Sequence, residues 1–536
     1  MKNLPKQRQK KNIIVKMFFF IIILLGLWII FKTILKKPVN GDWENNNFSM
    51  VYDKNKDFDV ILSGTSIVLA NISNQELYSK YGIGAVSLGE PEQPIYLSYY
   101  MLKEALKYQD PKVVILDVQS LFYSREKIQN NLKEKEYYYL HYSLDKMKNG
   151  ITKYEALQAA KELKNDINFW DYFSGMYYSH ANWEELNKDN FTLVESDVKN
   201  GDMFLTDIYQ YTGKYSDTIL DENDNSGNME EIWSVNREYF NKIVELCRIN
   251  DTELLLVRSS FSGESIWSWG QYNTVEKLAQ DNQLTYLDIN MLIDKVGFDK
   301  KMDMGDGVHF NVEGSRKWTD YIGKYISEKY DINNRKYDKN YDYYQNGEEI
   351  LNNKLEYVRE KKELLQCVTL DGYLEKIMKY KKDGYVIGVA VSDDASNQIT
   401  ENECQLLRKL GLQISLLDQY RSSYVGLIED GNVIEEALAQ NGIEKEGNFN
   451  NLDSYKISSG GYDSNINASI KINGIEFCQG KRGINIVVYD KKNKEAISSV
   501  FFDTYLSENP HPSIVKADKI YEMIDVNEWK AIVADY

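Results

Sequence analysis

Three residues that could together activate a hydroxyl group stand at the two ends of one region of the chain. Ser66 ends the run Asp-Val-Ile-Leu-Ser-Gly-Thr-Ser, which is typical of a buried strand followed by a turn. Asp306 and His309 stand three residues apart in the run Gly-Asp-Gly-Val-His. A serine hydroxyl is inert until a base takes its proton, and the usual base is a histidine held by a carboxylate. The pattern predicts Ser66 as a nucleophile, His309 as its base and Asp306 as the group that orients the imidazole.

Each part of this pattern also has a purely structural explanation. Ser66 alone could be a turn serine after a strand, while Asp306 and His309 could form a surface turn and a helix cap. The chain has only 4 histidines, so few other bases exist. Found together at the two ends of one domain, the three residues favour catalysis.

The elements between these residues alternate between strands and helices. Strands are predicted at the apolar runs DVILSG, VVILDV, ELLLVRSS and LTYLDI, and helices at YLSYYMLKEALKY, 229–248, 272–282 and 313–329. Strands separated by helices form a parallel sheet covered on both faces, so residues 50–330 are expected to form an α/β domain with a helical insertion at 124–190. Such sheets bind ligands at the carboxyl ends of their strands, where Ser66 would stand.

Three short blocks in this region follow the order of a known superfamily. The first block matches Gly-Thr-Ser at 64–66, the second matches Ser-Leu-Gly at 87–89, and the last matches Asp306 and His309. The region resembles the SGNH (GDSL-type) hydrolases, and more closely their membrane-anchored members related to cell-envelope polysaccharide O-acetyltransferases. The resemblance implies a three-layer domain around a parallel sheet that transfers acyl groups through a serine, with no cofactor and no metal.

The resemblance also implies an oxyanion hole formed by the backbone amides of Ser66 and Gly89. The superfamily usually carries a further donor, an Asn in a Gly-x-Asn-Asp turn after the third strand. In this chain the third strand runs into Asp-Val-Gln-Ser at 117–120, so that donor is absent or replaced. Loss of one such donor can lower the rate by about a hundredfold or more, so weak activity stays open.

Four further residues are candidates for substrate binding. Gln93 follows the second block, and His180 and Trp183 lie in a part of the helical insertion that resembles a segment beside the active site in the same subgroup. The alternative for His180 and Trp183 is core packing in an aromatic cluster. Arg258, near the end of the run ELLLVRSS, could place positive charge near the pocket or form an ordinary salt bridge.

The N-terminus is predicted to be a membrane anchor. Residues 17–31 carry no charge, and the apolar run reaches Leu35 if Lys32 extends to the interface. A single helix at 17–37 is therefore expected to cross the cell membrane. The basic segment 1–16 is expected in the cytoplasm, which places the bulk of the chain outside it. A cleaved signal peptide is the alternative, although no small-x-small cleavage site follows the run.

The last third of the chain is predicted to be a separate β-rich domain. A polar linker at 331–347 and a helical segment to residue 367 lead into residues 368–536, whose short strands are joined by Gly and Asn turns. The blocks in this domain are GYVIGVAVSDDAS, LLRKLGL, YRSSYVGLIEDG and KRGINIVVYDKKNKEAISSVFFDTY. Together they resemble the ILEI/PANDER domain, named for interleukin-like inducers of epithelial–mesenchymal transition. The matching residues are Asp394, Gly411, Arg421, Ser423, Tyr424, Gly483, Asn485, Phe502, Asp503 and Thr504. The resemblance implies a β-sandwich-like module with short helices that binds a carbohydrate or a partner.

Composition narrows the functional classes. With 81 acidic against 64 basic residues the net charge is -17, which argues against a nucleic-acid partner. The 4 cysteines include no CxxC pair, which excludes a zinc ribbon, an iron–sulfur site and a disulfide-built scaffold. Cys367, Cys404 and Cys478 could be buried thiols or include one disulfide.

Two functions remain open from the sequence. The first is an extracytoplasmic serine acyl-transfer enzyme, an O-acetyltransferase or an esterase, acting on a bacterial cell-envelope polysaccharide. A transferase would need an acyl donor delivered by a polytopic membrane partner, because this chain has one predicted span. The second is a catalytically inactive SGNH-like scaffold that binds a carbohydrate or a partner in envelope glycan assembly. The missing Asn supports the scaffold, while the complete set of Ser, Asp and His supports the enzyme.

Overall fold

The computed structural model describes residues 15–24, 26–27, 47–131, 138–164, 167–174, 201–208, 225–261, 268–450 and 452–505. The chain divides into two compact units. The first contains the described residues of Met1–Leu205, Thr218–Asp299 and Asp303–Lys354, and the second contains those of Thr206–Asp217, Lys300–Met302 and Leu355–Tyr536. The main division, after Lys354, falls inside the segment 331–367 that is predicted to connect two domains.

A five-stranded parallel sheet forms the centre of the described part of the first unit. Its strands are β1 (Val60–Ser63), β2 (Ala85–Ser87), β3 (Val113–Asp117), β4 (Glu253–Arg258) and β5 (Thr285–Asp288). Their order is β2-β1-β3-β4-β5, and every pair is parallel. All residues of β1 and β3 are buried, as expected for central strands covered on both faces. The predicted α/β fold with a parallel sheet is confirmed.

Helices follow most of these strands. In chain order they are α1 (Asn47–Val51), α2 (Ser66–Asn71), α3 (Asn74–Tyr81), α4 (Ile95–Ala105), α5 (Arg125–Asn131), α6 (Tyr138–Leu144), α7 (Ile151–Leu163), α8 (Phe169–Ser174), α9 (Ser234–Ile249), α10 (Trp269–Asn282), α11 (Ile289–Val296) and α12 (Val312–Lys329). A further helix, α13 (Tyr343–Leu365), begins in the first unit and ends in the second. Side chains alternate along a strand, so Ile61, Val114 and Leu254 share one face of the sheet, where they pack with α4 and α9. Helix α12 packs against α2 and α3.

The predicted insertion at 124–190 is helical where it is described, because it contains α5 to α8. Residues 175–190 lie outside the described residues. The chain is described again at 201–208, where the Met203 amide donates to the Leu69 carbonyl of α2 at 2.8 Å. Two residues later, the Leu205 carbonyl accepts from the Val312 amide at 2.8 Å. This short segment therefore links α2, the helix that begins with Ser66, to the first residue of α12.

Residues 331–347, predicted to be a polar linker, are instead part of the first unit. Arg335 donates from Nε and Nη2 to the buried carboxylate of Asp59, at 2.8 and 2.9 Å. Tyr341 and Tyr344 are buried, and the Tyr344 hydroxyl bonds to the backbone of Ala85 in β2. The prediction missed this packing because Arg and Tyr side chains carry a large apolar body beside their polar tip.

A mixed β sheet forms the second unit. Its strands are β6 (Tyr385–Asp393), β7 (Ser423–Glu429), β8 (Asn432–Ala439), β9 (Ile443–Asn448), β10 (Ser454–Gly461), β11 (Ser469–Ile472), β12 (Ile475–Glu476), β13 (Gly483–Asp490) and β14 (Glu495–Phe502). Among the described residues these strands pair in the order β12-β11-β10-β6-β13-β14, with β7 joined to β6 and β8, and β9 joined to β10. Strand β6 is antiparallel to β7 and β13 but parallel to β10. The predicted β-rich unit is confirmed.

The strands of the second unit lie in two layers. Ile387 and Ile486 face α14 (Leu370–Ile377) and α15 (Glu401–Leu410) in one hydrophobic cluster. On the opposite face, Val487 packs in a second cluster with Ile457 of β10 and Ile470 of β11. One β layer thus lies between the helices and the other β layer.

The cysteines are buried thiols. Cys247, Cys367, Cys404 and Cys478 all lie in the described ranges and are free. Burial raises the pKa of Cys247 and of Cys478 to about 12, so both stay protonated at neutral pH. The disulfide that the sequence left open is therefore not formed.

Only part of the predicted membrane anchor falls in the described residues. Residues 15–24 are helical, and the large apolar side chains from Met17 to Leu24 are exposed. Of the helices in the described ranges, none combines the length and the apolar character needed to span a bilayer. Residues 28–37 lie outside the described part, so the anchor stays a prediction.

Candidate active site

The turn that carries Ser66 connects β1 to α2. Ser66 is the first residue of α2, and the Thr65 hydroxyl caps the helix by accepting from the Ile67 amide at 3.3 Å. Gly64 allows the close approach of β3, because a Cβ at this position would lie 2.8 Å from the Asp117 Cβ. The serine therefore stands at the carboxyl end of β1, as predicted from the sequence, and it is also the first residue of a helix that the sequence analysis did not predict.

The side chains of Ser66, His309 and Asp306 form a continuous hydrogen-bonded chain. The Ser66 Oγ lies 2.8 Å from the His309 Nε2, and the His309 Nδ1 lies 2.8 Å from the Asp306 Oδ2. The second carboxylate oxygen, Oδ1, accepts from the amides of Val308 and His309, both at 2.7 Å. The carboxylate thus fixes the backbone of the turn and the ring of the histidine at the same time.

The electrostatics of the turn keep Asp306 ionised. Burial acts to raise the pKa of Asp306, but the hydrogen bonds from His309 and from the Val308 amide outweigh it and hold that pKa below its usual value. An ionised carboxylate accepts from the His309 Nδ1–H, which leaves the Nε2 lone pair directed at a hydroxyl. This is the tautomer that a general base requires.

The loop that carries His309 is held on both sides. Met304 and Phe310 form an antiparallel β-bridge, and the Gly305 amide donates to the His309 carbonyl at 2.8 Å. The Phe310 ring lies 4.5 Å from the Phe298 ring, centroid to centroid. Asn311 then caps α12 by accepting from the amides of its first turn at 3.2 and 3.1 Å.

Gly89, the predicted oxyanion donor, lies beside the serine turn. The backbone on either side of it pairs with the β1 region, since Leu88 donates to the Leu62 carbonyl at 2.7 Å and Glu90 to the Gly64 carbonyl at 3.3 Å. A Cβ at residue 89 would overlap the Val68 side chain and lie 2.8 Å from the Thr65 carbonyl oxygen, so only glycine fits. The Gly89 amide donates to the Ser87 hydroxyl at 3.3 Å, which is long for a hydrogen bond. A stronger acceptor, such as an oxyanion, could therefore take the place of this hydroxyl.

The loop after Gly89 is fastened by two lysines of the helical insertion. Lys146 pairs with Glu90 at 2.7 Å, and Lys127 pairs with Glu92 at 2.6 Å. Glu90 is 1% exposed, so its ion pair is one of the buried ones in this unit. These contacts are not predictable from the sequence, because the paired residues are far apart in the chain and belong to no motif.

Asp117 is the last residue of β3 and the first of the turn Asp-Val-Gln-Ser. Its Oδ1 accepts from the Gln119 amide at 2.9 Å and its Oδ2 from the Ser259 amide at 3.4 Å. Burial raises the pKa of Asp117 to about 6, against the opposing charge of Arg258. Arg258 is itself 2% exposed and donates to the Ser260 carbonyl, so the structure favours its role as the buried counter-charge of Asp117.

Of the other predicted substrate-binding residues, the structure describes only Gln93, whose side chain bonds to α4 and not to Ser66. Gln93 is fully buried and donates to the Ser98 hydroxyl of α4 at 2.8 Å, which fixes the start of that helix. His180 and Trp183 lie outside the described residues. Within the described ranges, no group of three or more His, Cys, Asp or Glu residues is arranged to hold a metal ion.

The second unit carries an exposed aromatic cluster that includes predicted motif residues. The Arg421 guanidinium carbon lies 3.8 Å from the Tyr462 ring centroid and 4.9 Å from that of Tyr420. Both tyrosines are more than half exposed. The Arg421 amide donates to the buried carboxylate of Asp394 at 2.9 Å, which fixes the turn that presents the cluster.

The sequence matches none of the models of known protein families, and no curated protein matches it either. The functional assignment therefore depends on the geometry of Ser66, His309 and Asp306.

Proposed function

We propose that this protein is a serine acyl-transfer enzyme of the SGNH type, an O-acetyltransferase or esterase acting on a cell-envelope polysaccharide. The observation that supports the proposal is the chain of two 2.8 Å contacts from Ser66 through His309 to Asp306. The same geometry of nucleophile, base and orienting carboxylate performs acyl transfer on several unrelated folds. Its position at the carboxyl end of a parallel sheet is where such folds bind ligands.

Each residue has a role in the proposed reaction. Ser66 attacks the ester carbonyl while its proton passes to the His309 Nε2, and Asp306 stabilises the imidazolium that forms. The amides of Ser66 and Gly89 donate to the oxyanion of the tetrahedral intermediate. The imidazolium then protonates the leaving alcohol. A sugar hydroxyl or a water, deprotonated by the same imidazole, attacks the acyl-enzyme and releases the serine.

The predicted topology bears on the choice between transferase and esterase. A transferase outside the cytoplasm needs an activated acyl group on that side of the membrane. We infer that a separate polytopic membrane protein supplies it, and that the helix predicted at 17–37 keeps this chain beside that partner. An esterase would need only water as its second substrate.

The second unit supports a carbohydrate as the acceptor. Exposed tyrosine rings beside an arginine offer stacking surfaces and hydrogen-bond donors of the kind that sugars use. We propose that this ILEI/PANDER-like unit holds the polysaccharide through Tyr420, Arg421 and Tyr462. Tyr462→Ala in the ectodomain should weaken binding of envelope polysaccharide fragments, whereas Tyr337→Ala, which removes an exposed tyrosine of the first unit, should not.

A catalytically inactive scaffold is the second candidate. The observation that favours it is the buried carboxylate of Asp117 at the start of the turn that lacks the Asn, because an ionised carboxylate repels a nearby oxyanion. On this alternative the first unit would bind the glycan or an assembly partner without turning over an ester.

The deciding experiment uses the ectodomain, residues 40–536, with p-nitrophenyl acetate. Wild type should show a burst or steady release of nitrophenol that disappears in Ser66→Ala, while the thermal transition stays nearly unchanged. His309→Gln should abolish release as well. His141→Gln is its matched control, because His141 also contacts a carboxylate, that of Asp145 at 2.9 Å, but has no contact with Ser66. Equal rates in wild type, Ser66→Ala and the buffer blank would favour the scaffold.

A further inference from the structure

Asn71 links the nucleophile helix directly to the histidine loop. It is the last residue of α2, the helix that begins with Ser66, and its side chain is fully buried. The carboxamide Oδ1 accepts from the Phe310 amide at 2.8 Å. The Nδ2 donates to the carbonyl oxygen of Ser259. One side chain thus joins the helix of Ser66 to the residue that follows His309.

Both partners of Asn71 are rigidly placed. Ser259 follows β4, and its hydroxyl accepts from the Trp318 Nε1 of α12 at 2.8 Å. Phe310 is held by its bridge to Met304 and by its packing against Phe298. A buried carboxamide with both ends bonded to fixed backbone groups has a single orientation, because any other leaves a polar atom unsatisfied.

We propose that Asn71 is a positioning residue for acyl transfer, which sets the distance between the His309 Nε2 and the Ser66 Oγ. The inference rests on the proposed function of those two residues. It needs no contact between Asn71 and the substrate, because its effect passes through the Phe310 backbone to the imidazole. A displacement of about 1 Å between reacting groups can lower a rate by about a hundredfold.

A second connection keeps the loop in place when Asn71 is altered. Met203 bonds to the Leu69 carbonyl of α2, and Leu205 bonds to the Val312 amide at the start of α12. Replacement of Asn71 therefore loosens the histidine loop without releasing it. This makes a folded variant accessible to measurement.

The test compares Asn71→Leu with Asn236→Leu in the full-length protein. Asn236 is a matched control, because it is 1% exposed and its Nδ2 donates to two backbone carbonyls, of Leu121 and Tyr123, at 3.0 and 2.8 Å. With p-nitrophenyl acetate, Asn71→Leu should lower kcat by about a hundredfold with KM nearly unchanged. Asn236→Leu should leave both constants close to wild type. Equal losses in the two variants would overturn the positioning role.

Two further measurements separate this inference from the proposed function. Any residual turnover of His309→Gln above that of Ser66→Ala should not fall further when Asn71→Leu is added, because residues that act as one unit are not additive, and a further hundredfold fall would overturn the inference. The second measurement is proton NMR, which does not depend on catalytic turnover. The Nδ1–H resonance of His309, assigned by its loss in His309→Gln, should shift or broaden in Asn71→Leu but not in Asn236→Leu. An unchanged resonance would overturn the inference, whereas an inactive wild type with a shifted resonance would overturn only the proposed function.

Discussion

The Ser66 Oγ and the His309 Nε2 lie 2.8 Å apart although 243 residues separate them in the chain. They meet because β1, which leads to Ser66, is a central strand, and because α12, which follows the histidine loop, packs back against α2 and α3. The contact is therefore a product of the whole first unit. A substitution that shifts α12 should change the reactivity of the serine even if it lies far from the substrate.

The first prediction concerns Asp306→Asn. Asparagine keeps an oxygen for the two backbone amides, so the turn should persist and the thermal transition should move little. Its NH2 group faces the His309 Nδ1, however, and forces the proton onto Nε2, where it faces Ser66. Ester turnover should fall by about 10⁴-fold, measured as kcat with p-nitrophenyl acetate. A variant with near wild-type turnover would show that Asp306 does not set the tautomer.

The second prediction concerns Gly89→Ala. The new methyl group would overlap Val68 and the Thr65 carbonyl, so the loop must move and carry the predicted oxyanion amide with it. Turnover should fall by about 10²- to 10³-fold, and the free energy of unfolding by about 1–3 kcal/mol. Gly307→Ala is the control inside the histidine loop, because a Cβ there meets open space. If Gly307→Ala were as damaging as Gly89→Ala, overlap at residue 89 would not be the cause.

The fold was predictable where burial is complete. Strands β1 and β3 are unbroken apolar runs because helices cover both faces of their sheet. Strands β8 and β9 are not recognisable from the sequence, because NVIEEALA and IEKEGN belong to partly exposed strands with many charges and carry no clear alternation. The linker prediction failed for a related reason, since hydrophilic composition does not reveal that a tyrosine or arginine side chain packs inward.

The site was predictable only where residue type and order carry the signal. Ser66, Asp306 and His309 have the types and chain order of a known mechanism, and the structure brings them into contact. Asn71 has no such signal, because its role depends on backbone groups that are distant in the chain. Gln93 shows that a position beside a motif does not by itself indicate substrate binding, since its side chain bonds to Ser98 of the helix that follows it.

The third prediction concerns Arg335→Ala. Burial raises the pKa of Asp59, and the Arg335 guanidinium acts against it. Removal of the arginine leaves a carboxylate that is 3% exposed without its counter-charge. The free energy of unfolding should fall by about 3–5 kcal/mol, measured by urea titration. Lys339→Ala, which replaces an exposed side chain in the same segment, should change the free energy of unfolding little. Adding Asp59→Asn to Arg335→Ala should restore part of the loss, and a further loss would contradict the unpaired-charge explanation.

The fourth prediction concerns pH and Asp202. This buried carboxylate accepts from Ser73 and from the amides of Asn74 and Gln75 at the start of α3, yet burial raises its pKa from 3.8 to about 6. Between pH 3.8 and about pH 6, Asp202 keeps its proton in the native state but has lost it in the unfolded chain. The contribution of Asp202 to the free energy of unfolding therefore falls as pH rises.

Asp202→Asn should remove this dependence. Between about pH 4 and pH 7, the free energy of unfolding of the variant should rise by up to about 3 kcal/mol relative to that of wild type. The altered hydrogen bonds add an offset that does not depend on pH. Urea titrations at several pH values give the difference directly. A difference that is constant with pH would mean that Asp202 has the same pKa in the native and unfolded states.

Strand β2 lies at one edge of the five-stranded sheet, where unpaired backbone groups can capture a strand from another molecule. The Tyr344 hydroxyl accepts from the Ala85 amide at 3.2 Å and donates to the Ala85 carbonyl at 2.6 Å. One side chain therefore occupies both groups that a foreign strand would need at that position. This edge of the sheet is thus closed to strand addition at Ala85.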